Sequence, residues 1–267
     1  MDIVKPNFMK PLNIVALQTN IIWEDKTRNL EALTQIISRL DKDRHIVFLP
    51  EMFATGFSMN PELAEPMDGR IVNWMAETAR RSGKIICGSV MIQDEAFIYN
   101  RLIWMLPNGM WHYYDKRHLF AYGGEDKVFT PGDSRIVVQV NGWKICLMVC
   151  YDLRFPVWCR QQAASPYDVL VFVANWPERR RLAWKTLLQA RAIENQCYVL
   201  GVNRVGQDGL DISHSGDSLL IDPMGEIICS APEAQPAIIQ GTLNGDLIQD
   251  SRSRFPFLKD ADRFLLA

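Results

Sequence analysis

Four side chains able to do chemistry sit at or just beyond the ends of short apolar runs. Cys150 closes KICLMVC, and the spacing predicts a helix from about Pro156. A cysteine at such a strand-to-helix corner is held at a sheet edge beside free backbone N–H groups, the geometry of a nucleophile elbow. The partial positive charge of a helix N-terminus would favour its thiolate. By itself Cys150 has a strong competing reading, because free cysteine is among the most buried residue types. Cys146, on the same strand with no polar segment after it, is read as packing. Glu51 ends HIVFLPE. A carboxylate there could act as general base if partial burial raises its pKa; helix capping or solvent exposure is the ordinary alternative. Lys116, in YYDKRHLF, could stabilise a developing oxyanion. Lysine is usually a surface residue, but Tyr113, Tyr114 and Phe120 nearby argue for burial. Glu125 follows Gly123-Gly124 and could orient Lys116 or a substrate, or be a plain loop acid.

The elements that must position these groups follow from periodicity. Buried strands are expected at 12–19, 45–51 and 84–92, and helices at 26–40 and at 71–83, the latter stopped by Gly83. The segments 100–116 and 135–152 read as hairpins turning at Pro107-Asn108-Gly109 and Asn141-Gly142. Further on come a strand at 168–176, a long helix at 181–197, a strand at 198–206, a hairpin at 217–228 and a last strand at 237–243. Hairpins mixed with helices argue against a purely parallel sheet. The expectation is an α+β fold of two mixed sheets, each covered by helices on one face, in one domain over 1–267 with its core at about 12–245.

Composition narrows the function. With 267 residues, 48% of them hydrophobic, the chain can bury a large core. Its 29 basic and 31 acidic residues leave a net charge of −2, no footprint for nucleic acid or a membrane surface. The run Arg179-Arg180-Arg181 is read first as a solvated helix head. No apolar run approaches the roughly 18 residues of a membrane span, and MDIVKPNFMKPLNIV has no leader pattern, so a cytoplasmic protein is expected. The six cysteines are expected to be free thiols, and with no CxxC pair and scattered histidines no metal site is expected.

Each signal is weak alone; their joint order is specific. Glu51 in FLPEMFATGF, Lys116 in YYDKRHLF and Cys150 in CYDLRFP resemble the Glu–Lys–Cys set of the nitrilase superfamily of carbon–nitrogen hydrolases. The resemblance runs from about residue 12 to about 245, and NWP (175–177), ARAIENQ (190–196), NRVG (203–206) and the GDS…DPMGE hairpin are most similar to its ω-amidase branch. It implies a four-layer αββα sandwich, a homodimer and a small-molecule amide substrate, with no cofactor. It also implies Cys150 as nucleophile, Glu51 as base, and Lys116 with the Tyr151 N–H as oxyanion donors. The family's second glutamate maps best onto Glu125. Branch substrates are dicarboxylate monoamides of the 2-oxoglutaramate and 2-oxosuccinamate type, so a cation is needed for the distal carboxylate. Arg154, Arg179 and Arg204 are the candidates, with Arg180 beside Arg179 at the rim. Trp176, Phe53, Phe57 and Tyr122 are candidate pocket walls. Other amidases, N-carbamoyl amidases and nitrilases share the nucleophilic set, and a non-catalytic binding protein is the alternative of another class.

Overall fold

A computed structural model describes residues 9–262 and 264. In chain order its elements are β1 (Leu12–Gln18), α1 (Lys26–Ile37), β2 (Ile46–Phe48), α2 (Arg70–Ser82), β3 (Ile85–Asp94), β4 (Phe97–Met105) and β5 (Trp111–Asp115). The second half holds β6 (Val137–Val140), β7 (Trp143–Val149), α3 (Pro156–Cys159), β8 (Val169–Ala174), α4 (Arg181–Asn195), β9 (Tyr198–Asn203), β10 (Val205–Gln207), β11 (Ser213–Ser215), β12 (Leu219–Ile221), β13 (Ile227–Ser230), β14 (Ala237–Leu243) and α5 (Gly245–Arg254).

Two six-stranded sheets result, ordered β14-β1-β2-β3-β4-β5 and β13-β12-β9-β8-β7-β6. In each, three central strands run parallel (β1-β2-β3 and β7-β8-β9) and the flanking pairs are antiparallel. The strand period of two sorts side chains between two cores. Leu12, Ile14, Ala16, Ile46, Phe48, Ile85 and Cys87 join the second sheet's apolar residues in the layer between the sheets. Their alternates Val15, Leu17, Val47, Leu49 and Ile86 pack instead against the apolar faces of α1 and α2. On the far side α4 lays Trp184 and Leu188 on β9, and Gly201 makes room for them: a Cβ there would lie 2.4 Å from Leu188. The layers are therefore helix, sheet, sheet, helix.

Local signals hold where they are strong. Gly83 ends α2 in the left-handed region at φ 68°, and the Asp25 carboxylate accepts from Arg28 N–H to cap α1. Two expectations need correction. β3 and β4 run on past the expected hairpin limits to meet at Asp94 and Phe97. The helix expected from about Pro156 does begin there but is only the single turn of α3, and a 3₁₀ stretch (Cys150–Arg154) precedes it. Among the described residues no helix is long and apolar enough to cross a membrane.

Candidate active site

Both sheets contribute to a buried cluster. From the first come Glu51, three residues beyond β2, Asn100 within β4, Lys116 directly after β5, and Glu125 in a short 3₁₀ turn. From the second come Cys150, directly after β7, and Asn175, directly after β8. Polar residues at the carboxyl ends of buried strands emerge where a sheet opens into a cleft.

Glu51, Lys116 and Glu125 are all 0% exposed. Lys116 Nζ donates to Glu51 Oε1 at 2.8 Å and to both Glu125 oxygens at 2.9 and 2.8 Å. Asn100 Nδ2 bridges the same carboxylates, donating to Glu51 at 2.8 Å and Glu125 at 3.1 Å. The Asn175 backbone N–H donates to Glu51 Oε2 at 2.8 Å, and its side-chain amide donates to the Glu51 carbonyl at 2.5 Å. These bonds tie the end of β8 to the loop after β2, so Glu51 is held from both sheets. Phe120 N–H completes Glu125 at 2.6 Å. Burial pulls the Lys116 pKa down, but the charges of Glu125 and Glu51 outweigh it and hold it above the ordinary lysine value. Its ammonium therefore stays charged in a dry site. Burial pushes the Glu125 carboxyl up, Lys116 pulls it down, Glu51 pushes it up again, and the balance is upward.

Cys150 is 9% exposed and sits in the left-handed region at φ 43°. This is uncommon for a residue with a side chain and marks a tight, over-determined corner. The corner is braced by Asp152, whose carboxylate accepts from Val149 N–H (3.0 Å), Tyr114 O–H (2.8 Å) and His118 N–H (3.0 Å). The expectation that a helix terminus acidifies the thiol is overturned. Burial first and the Glu51 charge second push the Cys150 thiol well above its ordinary value, against the pull of Lys116. One 3₁₀ stretch is too short to offset that. These influences favour a neutral Cys150 thiol beside a carboxylate. A thiol in that state could serve as a nucleophile only if its proton left as it attacked. Cys146 lies fully buried within the core.

A cavity of about 480 Å³ opens over this cluster, lined among others by Glu51, Lys116, Cys150, Tyr151, Asn175 and Trp176. Arg154, Arg179 and Arg180 line it as well, with Phe57 and Tyr122. Arg204 does not. It is 0% exposed, and its guanidinium donates to the carbonyls of Val205 (3.1 Å), Ile21 (3.1 Å) and Gln207 (2.9 Å). It braces a backbone turn, so its expected place in the pocket is not supported. Phe53 is likewise away from the cavity, packed on Trp74 at 5.7 Å between ring centres. Asn100, Asn175 and the lining residue His214 escaped the sequence reading. Asn100 had one signal, a polar residue inside the run FIYNRLIWM. No group of three or more His, Cys, Asp or Glu side chains among the described residues could hold a metal ion.

Known proteins share this architecture. Residues 13–253 match the carbon–nitrogen hydrolase family. The chain is 42% identical to omega-amidase YafV of Escherichia coli (strain K12), covering 97% of this chain and 100% of that protein. It is 31% identical to a 2-oxoglutaramate amidase of Bacillus subtilis, over 92% of this chain and 96% of that one. A solved carbon–nitrogen hydrolase superfamily protein of Xanthomonas campestris, with an arsenic adduct in its active site, superposes with a TM-score of 0.94 at 42% identity, covering 97% of this chain and 100% of that one. Matched by the family over residues 13–253 and in fold over 97% of its length, the chain belongs to the carbon–nitrogen hydrolase family.

Proposed function

We propose that this protein is an ω-amidase that hydrolyses the terminal amide of dicarboxylate monoamides of the 2-oxoglutaramate and 2-oxosuccinamate type to the 2-oxo acid and ammonia. The observation that carries the reading is the buried Glu51–Lys116–Glu125 set beside Cys150, in a chain 42% identical over 97% of its length to an ω-amidase.

The chemistry is a double displacement. Glu51 takes the Sγ proton as the Cys150 sulfur bonds to the amide carbon, and the carbonyl π pair moves onto oxygen. The Lys116 charge and the Tyr151 N–H, in the first turn of the 3₁₀ stretch with no helical acceptor, stabilise that oxyanion. Protonated Glu51 returns its proton to the nitrogen, the C–N bond breaks and ammonia leaves. Water then attacks the thioester with Glu51 as base, the C–S bond breaks, and the sulfur recovers the proton. Glu125 and Asn100 act through Lys116 and Glu51, holding both at fixed positions. Lys116 already serves two carboxylates, so its contact with the oxyanion must share one of those bonds. The reading carries with it a homodimer in the cytoplasm.

Ammonia release from 2-oxoglutaramate, compared with small nitriles, tests the substrate class. Intact-protein mass spectrometry after brief exposure should find an acyl adduct on Cys150. Cys150→Ala should lower turnover by about 10⁴-fold or more while the protein stays folded. A Cys150→Ala protein that kept its amidase activity would sink the mechanism, and no ammonia from any ω-amide would sink the substrate assignment.

A further inference from the structure

We infer that Arg180 grips the carboxylate at the far end of the substrate, with Arg154 as its second contact, and that this pair sets the requirement for an anionic tail. The inference rests on the ω-amidase reading and names the residues that would select its substrates.

The cavity has a cationic side whose charge is unmatched. Among the described residues, none of Arg154, Arg179 and Arg180 makes an ion pair, whereas the next residue, Arg181, pairs with Asp217 at 2.7 Å and also with Glu233. The acids elsewhere on the wall are engaged locally. Glu24 accepts from Ser58 O–H at 2.5 Å, and Asp208 accepts from the N–H groups of Leu210 and Ile212 at 2.8 and 3.0 Å. Among the described residues no carboxylate is therefore paired with Arg154, Arg179 or Arg180.

Two of the three are held in place by aromatic faces. Arg154 lies over the Trp176 ring at 4.8 Å, and Arg180 over the Phe120 ring at 5.1 Å. Trp176 links the two, because its Nε1–H donates to the Arg180 carbonyl at 2.9 Å. A guanidinium fixed this way offers its planar fork to a carboxylate with little entropy left to lose. Burial, then the like charges of Arg179 and Arg154, hold the Arg180 pKa below its ordinary value, so the empty cluster repels itself. A bound carboxylate would relieve that repulsion. A charge at Cys150 acts on Arg180 in the opposite sense, which puts the arginine within the nucleophile's electrostatic reach. Arg179 is exposed and also lines a separate surface recess with Asp211, so it contributes field at the rim. Arg204 does not line the cavity, and its Nε and Nη2 donate to backbone carbonyls and Asn20.

The test compares glutaramate with pentanamide, in which a methyl replaces the carboxylate. The ratio of their kcat/KM values is measured in the wild type, Arg180→Ala and Arg180→Lys. Arg180→Ala should cut the preference for the anionic amide by about 10- to 100-fold, chiefly through KM. Arg180→Lys should restore part of it. A preference kept within twofold in Arg180→Ala overturns the proposal. A second measurement needs no turnover: calorimetric binding of glutarate to Cys150→Ala and to Cys150→Ala/Arg180→Ala. Loss of binding in the double variant supports the grip even if no ω-amide is cleaved, and then only the activity reading falls. Equal binding by both proteins removes the grip and leaves the activity reading untouched.

Discussion

The protein treats charge in two opposite ways within one cavity. At its floor, Glu51, Lys116 and Glu125 are fully enclosed, and both carboxylates meet donors from Lys116, Asn100 or backbone N–H groups. At its mouth, Arg154, Arg179 and Arg180 stand on aromatic faces or in solvent, without an anion. The charged groups of the floor are paired before any substrate arrives, the condition for preorganised electrostatic catalysis. The mouth is left unsatisfied, so binding the right ligand supplies what the empty protein lacks. If the floor carries the reaction and the mouth the selection, as we propose, the two are separated in space, and substitutions should tell them apart.

The largest effect is expected at the floor. Lys116→Ala would leave two carboxylates facing each other out of water. Breaking a buried pair by removing one partner costs about 3–5 kcal/mol. Urea unfolding should show that loss together with the loss of ammonia release. A Lys116→Ala protein as stable as the wild type would mean that water already reaches this network, and the contrast with the mouth would disappear.

His214 sharpens the contrast, because it is buried like Lys116 but faces a like charge. It is 4% exposed, and burial first and the Arg204 charge second lower its pKa to about 4, against a smaller upward pull from Asp208. Lys116 keeps its proton because two carboxylates face it; His214 gives its proton up. At pH 7 the folded and unfolded forms are both largely neutral there. As the pH falls from about 6.5 toward 4, the unfolded chain takes up a proton that the folded protein refuses. Stability should therefore decline across that window, by roughly 3 kcal/mol in all. Urea midpoints at pH 7 and pH 4.5 measure the decline, and His214→Gln should flatten it. An unchanged slope in that variant would assign the acid limb to carboxylates instead.

What the sequence made legible was whatever a strand end announces. Glu51, Lys116 and Cys150 each follow an apolar run, and periodicity located those runs closely enough to place all three at the mouths of strands. The two mixed sheets were legible for the same reason: alternation and turn residues are local signals. The roles of Asn100 and Asn175 were not, since each arises only where a side-chain amide or backbone N–H meets a carboxylate distant in sequence, within one sheet for Asn100 and across the two sheets for Asn175. Arg204 shows the limit for cations. A linear pattern does not separate a guanidinium that braces carbonyls from one that faces a cavity. The Cys150 thiol shows the limit for electrostatics. A following helix suggests acidification, but its length and the burial of the sulfur decide the sign, and both are three-dimensional. α5 passed unread because its sequence, GDLIQDSRSR, carries too few apolar residues for a clear helical stripe.

The smallest effect should come from the mouth, and its smallness is the point. Arg180 makes no ion pair among the described residues, and its side chain is only partly buried. Arg180→Ala removes some packing on Phe120 but also removes repulsion from Arg154 and Arg179. These terms oppose each other, so unfolding stability should stay within about 0.5 kcal/mol of the wild type. Added salt should act in the same divided way. It screens the half-exposed arginines, raising KM for an anionic amide, while the enclosed floor is screened far less and kcat holds. A loss from Arg180→Ala as large as that from Lys116→Ala would make the arginine part of the protein's own framework. The mouth would then be built like the floor, its charge already committed before any substrate arrives.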